Sequence, residues 1–508
     1  MKVRLRSMRL SMHSPRHAIA ALLFAAVAGC GGGGGGSPAD ATPLPPTRSF
    51  PPSAGLAAHC AVPRPGTDPF HGNRPYPDLQ GSLDDEKRWV RSWIDETYLW
   101  YREVPDPPAA AYAGPVEYFN VLRTPATTAS GNPRDRFHFV FDTTAWNQLS
   151  LAGVEAGYGI EWALLARSPP RRMVVANVDP GSPAANAGIV RGAEVVSVDG
   201  VDFVNGADAA AINAGAFPDR AGKQTIFVFR DPGATAPRTV TLAAIAVTKV
   251  PVQDVRTVDT PAGRVGYLLF TDHIATAEGA LAEAVGQLRD AGASELVLDM
   301  RYNGGGFLDI AAELAYMIAG PERTAGRVFE RLRFNDRNPF GYDPAGLVTP
   351  FHATTQGFSI AAGTALPTLS LARVTVLTSS GTCSASESVI NALRGVDVEV
   401  NLVGGTTCGK PYGFLPQDNC GTTYFAIQFE GLNDRDFGDY ADGFAPTCTV
   451  ADDFTRPLGD PAEGRFAAAL ELLATGACPA GTATTAKSLL RDPELVRSPA
   501  RENRILRR

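Results

Sequence analysis

Thr378–Gly395 reads TSSGTCSASESVINALRG and follows directly on a β-branched apolar run, Val374-Thr-Val-Leu377. The run predicts a buried strand and Ser386–Leu393 predicts a helix. Hydroxyls, a cysteine and a carboxylate are therefore concentrated at one strand-to-helix junction. A solvated loop has no need of that set, and an apolar core would exclude it. Ser384 falls at the helix start, where free backbone N–H groups and the helix dipole favour developing negative charge.

Working outward, the chain from Gly263 alternates strand and helix. RVGYLLF is a strand. Ala275–Ala291 is a helix with Ala280, Leu281, Ala284, Val285 and Leu288 on one face. ELVLDM is a continuous apolar strand of the kind covered on both faces. Phe307–Ala319 is a further helix, RVTVLT leads into the quoted junction, and VEVNLVGG adds another strand. The fold class is α/β, with a ββα/βαβ-type core over residues 249–478. In open sheets of this class, sites lie beyond the carboxyl ends of the strands. Two more junctions stand out there. One is Asp299-Met-Arg-Tyr-Asn-Gly-Gly-Gly306, whose glycines let backbone N–H groups approach an anion. The other is Gly404-Gly-Thr-Thr-Cys-Gly-Lys410, a lysine in a glycine-rich loop.

Upstream, residues 155–248 turn to short strands and tight turns. Asp179-Pro-Gly-Ser-Pro183, Ala187-Gly188, Gly192-Ala-Glu194 and Val198-Asp-Gly200 follow one another in an order that resembles a PDZ domain. The resemblance implies an inserted β-rich module that binds an extended peptide at a sheet edge, with Gly157, Tyr158, Gly159 and Ile160 as its carboxylate loop. The other reading of this module is a spacer or lid. Residues 81–150 form a small N-terminal helical region. Ser82 is its N-cap, Asp84, Asp85 and Glu86 fill the first turn, and Val90, Trp93, Ile94, Tyr98 and Tyr101 make an aromatic stripe expected to be core. Residues 115–124 suggest a second helix.

The beginning of the chain reads as targeting. Lys2, Arg4, Arg6, Arg9 and Arg16 precede a short apolar stretch, Ala18–Ala28, too short to span a bilayer as a helix. Val27-Ala28-Gly29-Cys30 resembles a bacterial lipobox, which implies a signal peptide over 1–29 and a lipid on Cys30. Gly31, in place of Asp, leans by that resemblance toward the outer membrane of the cell envelope, facing the periplasm or the surface. Residues 30–80, rich in Gly and Pro, read as a flexible tether, and 479–508 as a loose tail. The 508 residues carry a formal charge of −7, which gives no basic footprint for nucleic acid. Besides Cys30 there are six cysteines, an even number that suggests disulfides in an exported chain. Cys408 and Cys420, flanking a short loop, are the first expected pair. With no C-x-x-C, no H-E-x-x-H and no Walker-type phosphate loop, no metal or cofactor is expected.

A serine nucleophile needs a base. His59, His71 and His138 lie outside the α/β core, His352 sits in a loop, and His273 follows a strand within the core. Lys410 would serve if burial lowered its pKa enough to leave the amine neutral. Ser384-Ala-Ser-Glu387, the D-x-R-x-N-x-G-G run and the downstream Gly409-Lys410 together resemble the carboxyl-terminal processing (tail-specific) serine peptidases, over roughly residues 82–475. That resemblance implies Ser384 as nucleophile and Lys410 as base, with an oxyanion hole from the amides of Ala385 and of Gly305 or Gly306. It implies protein or peptide substrates, unfolded or C-terminal segments, and a membrane association through the lipid anchor. Two departures stand out. Lys410 follows Ser384 by 26 residues, about one more than the family spacing. Phe414 occupies the position where the family carries a glutamine that orients the lysine, with Gln417 as its weak substitute. A disulfide from Cys383 or Cys408 would stiffen the site. Glu387 reads as a first-turn helix carboxylate. The alternatives are a catalytically silent peptide-binding protein on the same scaffold, and an esterase, against which stands the absence of a G-x-S-x-G elbow.

Overall fold

The computed structural model describes residues 50–261, 263–480 and 493–496, and every count of elements refers to these. The signal stretch, Cys30 and the glycine run lie outside the described residues. Ser82 caps α1 (Leu83–Thr97) by accepting from the Asp85 amide at 3.2 Å, with three acidic residues in the first turn. Val90, Trp93, Ile94 and Tyr98 are buried as expected, and Tyr101 lies half-buried at the rim. The expected second helix is shorter, Pro115–Phe119. A strand, β1 (Phe139–Asp142), and α2 (Thr143–Ala152) complete the region. Residues 50–80 depart from the tether expected of them. Cys60 is disulfide-bonded to Cys420, and the amides of Ser53 and Ala61 donate to Glu96 and Glu86 of α1. Their proline and glycine content produces irregular backbone that is nevertheless pinned.

The β-rich module comprises β2 (Ile160–Ala166), β3 (Arg172–Val178), β4 (Glu194–Val198), α3 (Ala209–Ala216), β5 (Gln224–Arg230) and β6 (Arg238–Ala243). Its strands pair antiparallel in the order β6-β5-β4-β3-β2. Trp162, Phe227, Phe229 and Ile212 fill its core.

The core sheet follows. Strand β7 (Val252–Thr260) pairs antiparallel with β8 (Gly263–Phe270). After α4 (Ala277–Asp290), β9 (Glu295–Asp299) adds parallel to β8. After α5 (Leu308–Ala319), β10 (Arg373–Thr378) adds parallel to β9. Helix α6 (Ala385–Gly395) leads to β11 (Glu399–Gly404), parallel to β10. Strand β12 (Thr422–Phe425) leaves this sheet and pairs with β1, so the N-terminal region and the core share a second, smaller sheet. Strand β13 (Cys448–Thr449) closes the edge beside β11, and α7 (Gly464–Thr475) follows. One face of the main sheet is buried under α4, α5 and α6, and the other under α7 and the back of the β-rich module. Within the stretch expected to be a loose tail, β14 (Glu494–Val496) adds to β2.

The cysteines pair as Cys60–Cys420, Cys383–Cys408 and Cys448–Cys478. The expected Cys408–Cys420 pair is thereby corrected. Cys420 sits on the turn before β12, and β12 carries it toward the N-terminal region and Cys60, while Cys408 stays at the core sheet. No helix among the described residues is long and apolar enough to cross a membrane.

Candidate active site

Strands β9 and β10 are parallel neighbours, so the loops leaving their carboxyl ends meet. The hydroxyls of the quoted segment bind the two loops together. Ser379 donates to the Arg301 carbonyl, Thr382 Oγ1 to the Met300 carbonyl at 2.9 Å, and Ser386 Oγ to the Asn303 carbonyl at 3.0 Å. The amide of Cys383 also donates to Asn303 O, at 3.1 Å. The loop after β11 joins them through Thr378 Oγ1 to Gly405 O and Cys408 N to Thr382 O.

Ser384 stands at the mouth of α6 with φ 55° and ψ −119°, a positive-φ conformation that costs a serine about 1–3 kcal/mol. Glu387, on the first turn of α6, is 0% exposed. Its carboxylate accepts from the amides of Ser384 (3.1 Å), Gly409 (2.8 Å) and Lys410 (2.8 Å) and from Thr407 Oγ1 (2.6 Å). Burial raises the pKa of this carboxyl above the ordinary value, and the hydrogen bonds from those four donors offset only part of that rise. The Cys383–Cys408 disulfide ties the same two loops covalently, with Cα atoms 5.1 Å apart.

Lys410 is 7% exposed. Burial lowers its pKa from the ordinary lysine value to about 7, while the charges of Asp135 and Glu387 pull upward. Its Nζ lies 3.7 Å from the centroid of the Phe414 ring and 5.4 Å from that of Phe137. These ring faces take the place of any hydrogen bond from Nζ among the described residues, the Ser384 hydroxyl included. Gln417 is exposed and donates to the neighbouring Asp418 carbonyl, so it makes no hydrogen bond to Lys410.

Ala385 is the first residue of α6, and its amide has no acceptor within the helix. Gly305 (φ +100°) lies against it: a Cβ there would sit 2.8 Å from Ser384 Cβ and 3.0 Å from the Ala385 nitrogen. The Gly305 amide itself donates to Asn303 Oδ1 at 3.0 Å. Gly306 (φ +139°) forms a bridge with His273, and its own amide meets no acceptor among the described residues. His273 is fully buried and donates from Nδ1 to Asn303 Oδ1 at 2.9 Å; burial lowers its pKa to about 4. It is a neutral anchor of the glycine loop and makes no bond to Ser384.

Behind this loop runs a buried charge network. Arg301 pairs with Asp299, Asp452 and Glu463. Arg191 of the β-rich module donates to Tyr302 Oη and to Asp452, both at 2.6 Å. In the module itself, Tyr158 is buried and donates to Thr225 Oγ1 at 2.8 Å. Gly159 (φ +74°) packs so closely on Ser182 that no side chain fits. Gly157–Ile160 thus leads directly into β2.

Sequence reasoning missed Asn303, Phe137, Asp135 and Arg191. Asn303 was in plain view within the D-x-R-x-N run. Phe137 and Asp135 lie far from Lys410 in the chain and carried no signal.

Residues 264–438 match the Peptidase family S41 model, residues 85–139 the Peptidase S41 N-terminal domain, and residues 174–220 a PDZ domain. The chain carries the domains of peptidase family S41. The stretch matched by the S41 model contains Ser384, Glu387, Lys410 and the glycine loop. Among curated relatives, the chain is 28% identical over 233 residues to a carboxyl-terminal-processing protease of Picosynechococcus, and 27% identical over 303 residues to one of Synechocystis. It spans 49% and 64% of the length of these two relatives, and 46% and 58% of its own length is matched. The fold is shared with a Bacteroides fragilis protein assigned to the S41 proteases, at a TM-score of 0.60 and 23% identity, over 80% of this chain and 99% of that one.

Proposed function

We propose that this S41-family chain is an exported serine endopeptidase that cleaves protein or peptide substrates through a Ser384/Lys410 dyad. The neutral amine of Lys410 accepts the Ser384 Oγ proton as the oxygen attacks a peptide carbonyl. The resulting oxyanion is held by the Ala385 amide together with one from the glycine loop. The proton passes to the departing amine, and water then releases the acyl group from Ser384. General-base help of this kind is worth roughly 10²–10⁴-fold, and one oxyanion donor about 3 kcal/mol. The PDZ domain selects or gates substrate tails, and Cys30 carries a lipid that anchors the enzyme at the cell envelope.

The observation that carries this reading is the buried Glu387 carboxylate, which holds the Ser384 and Lys410 backbones together while the lysine is kept from water. The test is hydrolysis of unfolded casein by protein from Cys30 onward, beside Ser384→Ala and Lys410→Met. Loss of turnover in both variants is expected; Ser384-dependent turnover that survives Lys410→Met would remove the lysine from the mechanism. Phe414 favours a second reading, a silent peptide-binding scaffold. Equal and negligible hydrolysis by the unsubstituted protein and Ser384→Ala would support it.

A further inference from the structure

Strand β2 begins at the loop Gly157–Ile160, and its edge opposite β3 is covered. Glu494, Leu495 and Val496 of β14 pair antiparallel with Leu164, Ala163 and Trp162. A strand added in this direction runs toward the loop, as an extended peptide does when it joins a sheet edge with its following residues facing the loop amides. Val496 is 4% exposed and joins the apolar cluster of Tyr158, Trp162, Leu164 and Ile212. Glu494 pairs with Arg167, just past β2. Leu495 turns the other way and touches Gly381, three residues before Ser384.

We propose that β14 is a ligand in cis for the PDZ groove: the β2 edge takes an extended segment with an acidic residue beside Arg167 and a β-branched apolar residue opposite Trp162, and a substrate tail of that chemistry must displace residues 494–496 to bind. Three pairing residues make a short strand, and an exposed ion pair contributes little, so the contact is of a size that a competitor can replace. Tethering nevertheless gives the cis segment an effective concentration on the order of millimolar, which weakens any free peptide of equal intrinsic affinity. Leu495 against Gly381 places the same three residues beside the loop that presents Ser384, so groove occupancy is sensed next to the nucleophile. This rests on the peptide-binding part of the proposed function and is independent of catalysis.

The test uses the full chain carrying Ser384→Ala and a fluorescein-labelled peptide Arg-Asp-Pro-Glu-Leu-Val, the sequence of residues 491–496, followed by anisotropy. Adding Val496→Asp should expel the cis strand and tighten peptide binding at least tenfold. Equal binding with and without Val496→Asp, or no binding by the Val496→Asp chain, overturns the proposal. An independent arm leaves the apolar contacts intact: with Arg167→Glu, the preference for the Glu-containing peptide over its Glu→Lys version should reverse. An unchanged preference there overturns the assigned specificity. Because the readout is binding by a chain without the Ser384 hydroxyl, it is unaffected by whether the hydrolytic reading holds.

Discussion

The backbone amides of Ser384 and Lys410 share one acceptor, Oε2 of Glu387, at 3.1 and 2.8 Å. The two loops that bear the hydroxyl and the amine are therefore referenced to a single atom. Glu387→Gln replaces one oxygen by an NH₂ group that faces N–H donors and repels at least one of them. A displacement of about 1 Å at a reacting group costs on the order of 10²-fold in rate. We expect kcat/KM on a peptide substrate to fall by that amount, with a parallel slowing of Ser384 labelling by a fluorophosphonate.

Phe414 presses its ring on an amine whose pKa burial has brought to about 7. Only the neutral amine accepts a proton, so kcat/KM should rise with pH through that value. The ring face favours the ammonium by about 0.5–2 kcal/mol, while its bulk keeps water out. These two effects separate by substitution. Phe414→Leu keeps the apolar wall and loses the ring face, so the acid limb should move to lower pH. Phe414→Ala admits water, so the limb should move to higher pH. A residue that merely packed would shift neither limb, or both in one direction.

Gly305 is required by space as well as by conformation. At φ +100°, a Cβ would press on Ser384 Cβ, Cys383 O and the Ala385 nitrogen, all within 3.0 Å. Gly305→Ala should cut kcat by about 10²-fold or more through loss of oxyanion stabilisation.

The Cys383–Cys408 bridge closes a loop with a sequence separation of 25. Chain entropy assigns such a crosslink about 3 kcal/mol. A Cys383→Ser/Cys408→Ser chain should unfold at lower denaturant concentration by that margin. Its remaining activity should fall further than stability alone predicts, because the bridge spans the nucleophile and base loops.

Much of this was legible in the residues. Apolar runs of four to eight with glycine at their ends gave the βαβ core, and Asp179-Pro-Gly-Ser-Pro183 with its downstream turns gave the PDZ module. The density of hydroxyls near Ser384 was readable as a question and became intelligible only when Thr382 and Ser386 were found bonded to Met300 and Asn303. Phe414 was visible as a departure, but that its ring covers Lys410 depends on a turn geometry that no spacing encodes. Phe137 and Asp135 reach the lysine because β1 pairs with β12, a contact across nearly 300 residues of chain. Strand β14 is three residues long, below the length at which alternation carries a signal.

The bond between Cys60 and Cys420 has a separation of 360 residues and encloses α1, the whole PDZ module and the loops of both Ser384 and Lys410 in one covalent ring. A single clip in any surface turn of that ring leaves every fragment attached. Nicked protein would keep its full mass on a gel run without reductant and fall into two pieces only when thiol is added, so a chain of this architecture tolerates a break in its own backbone without shedding a part.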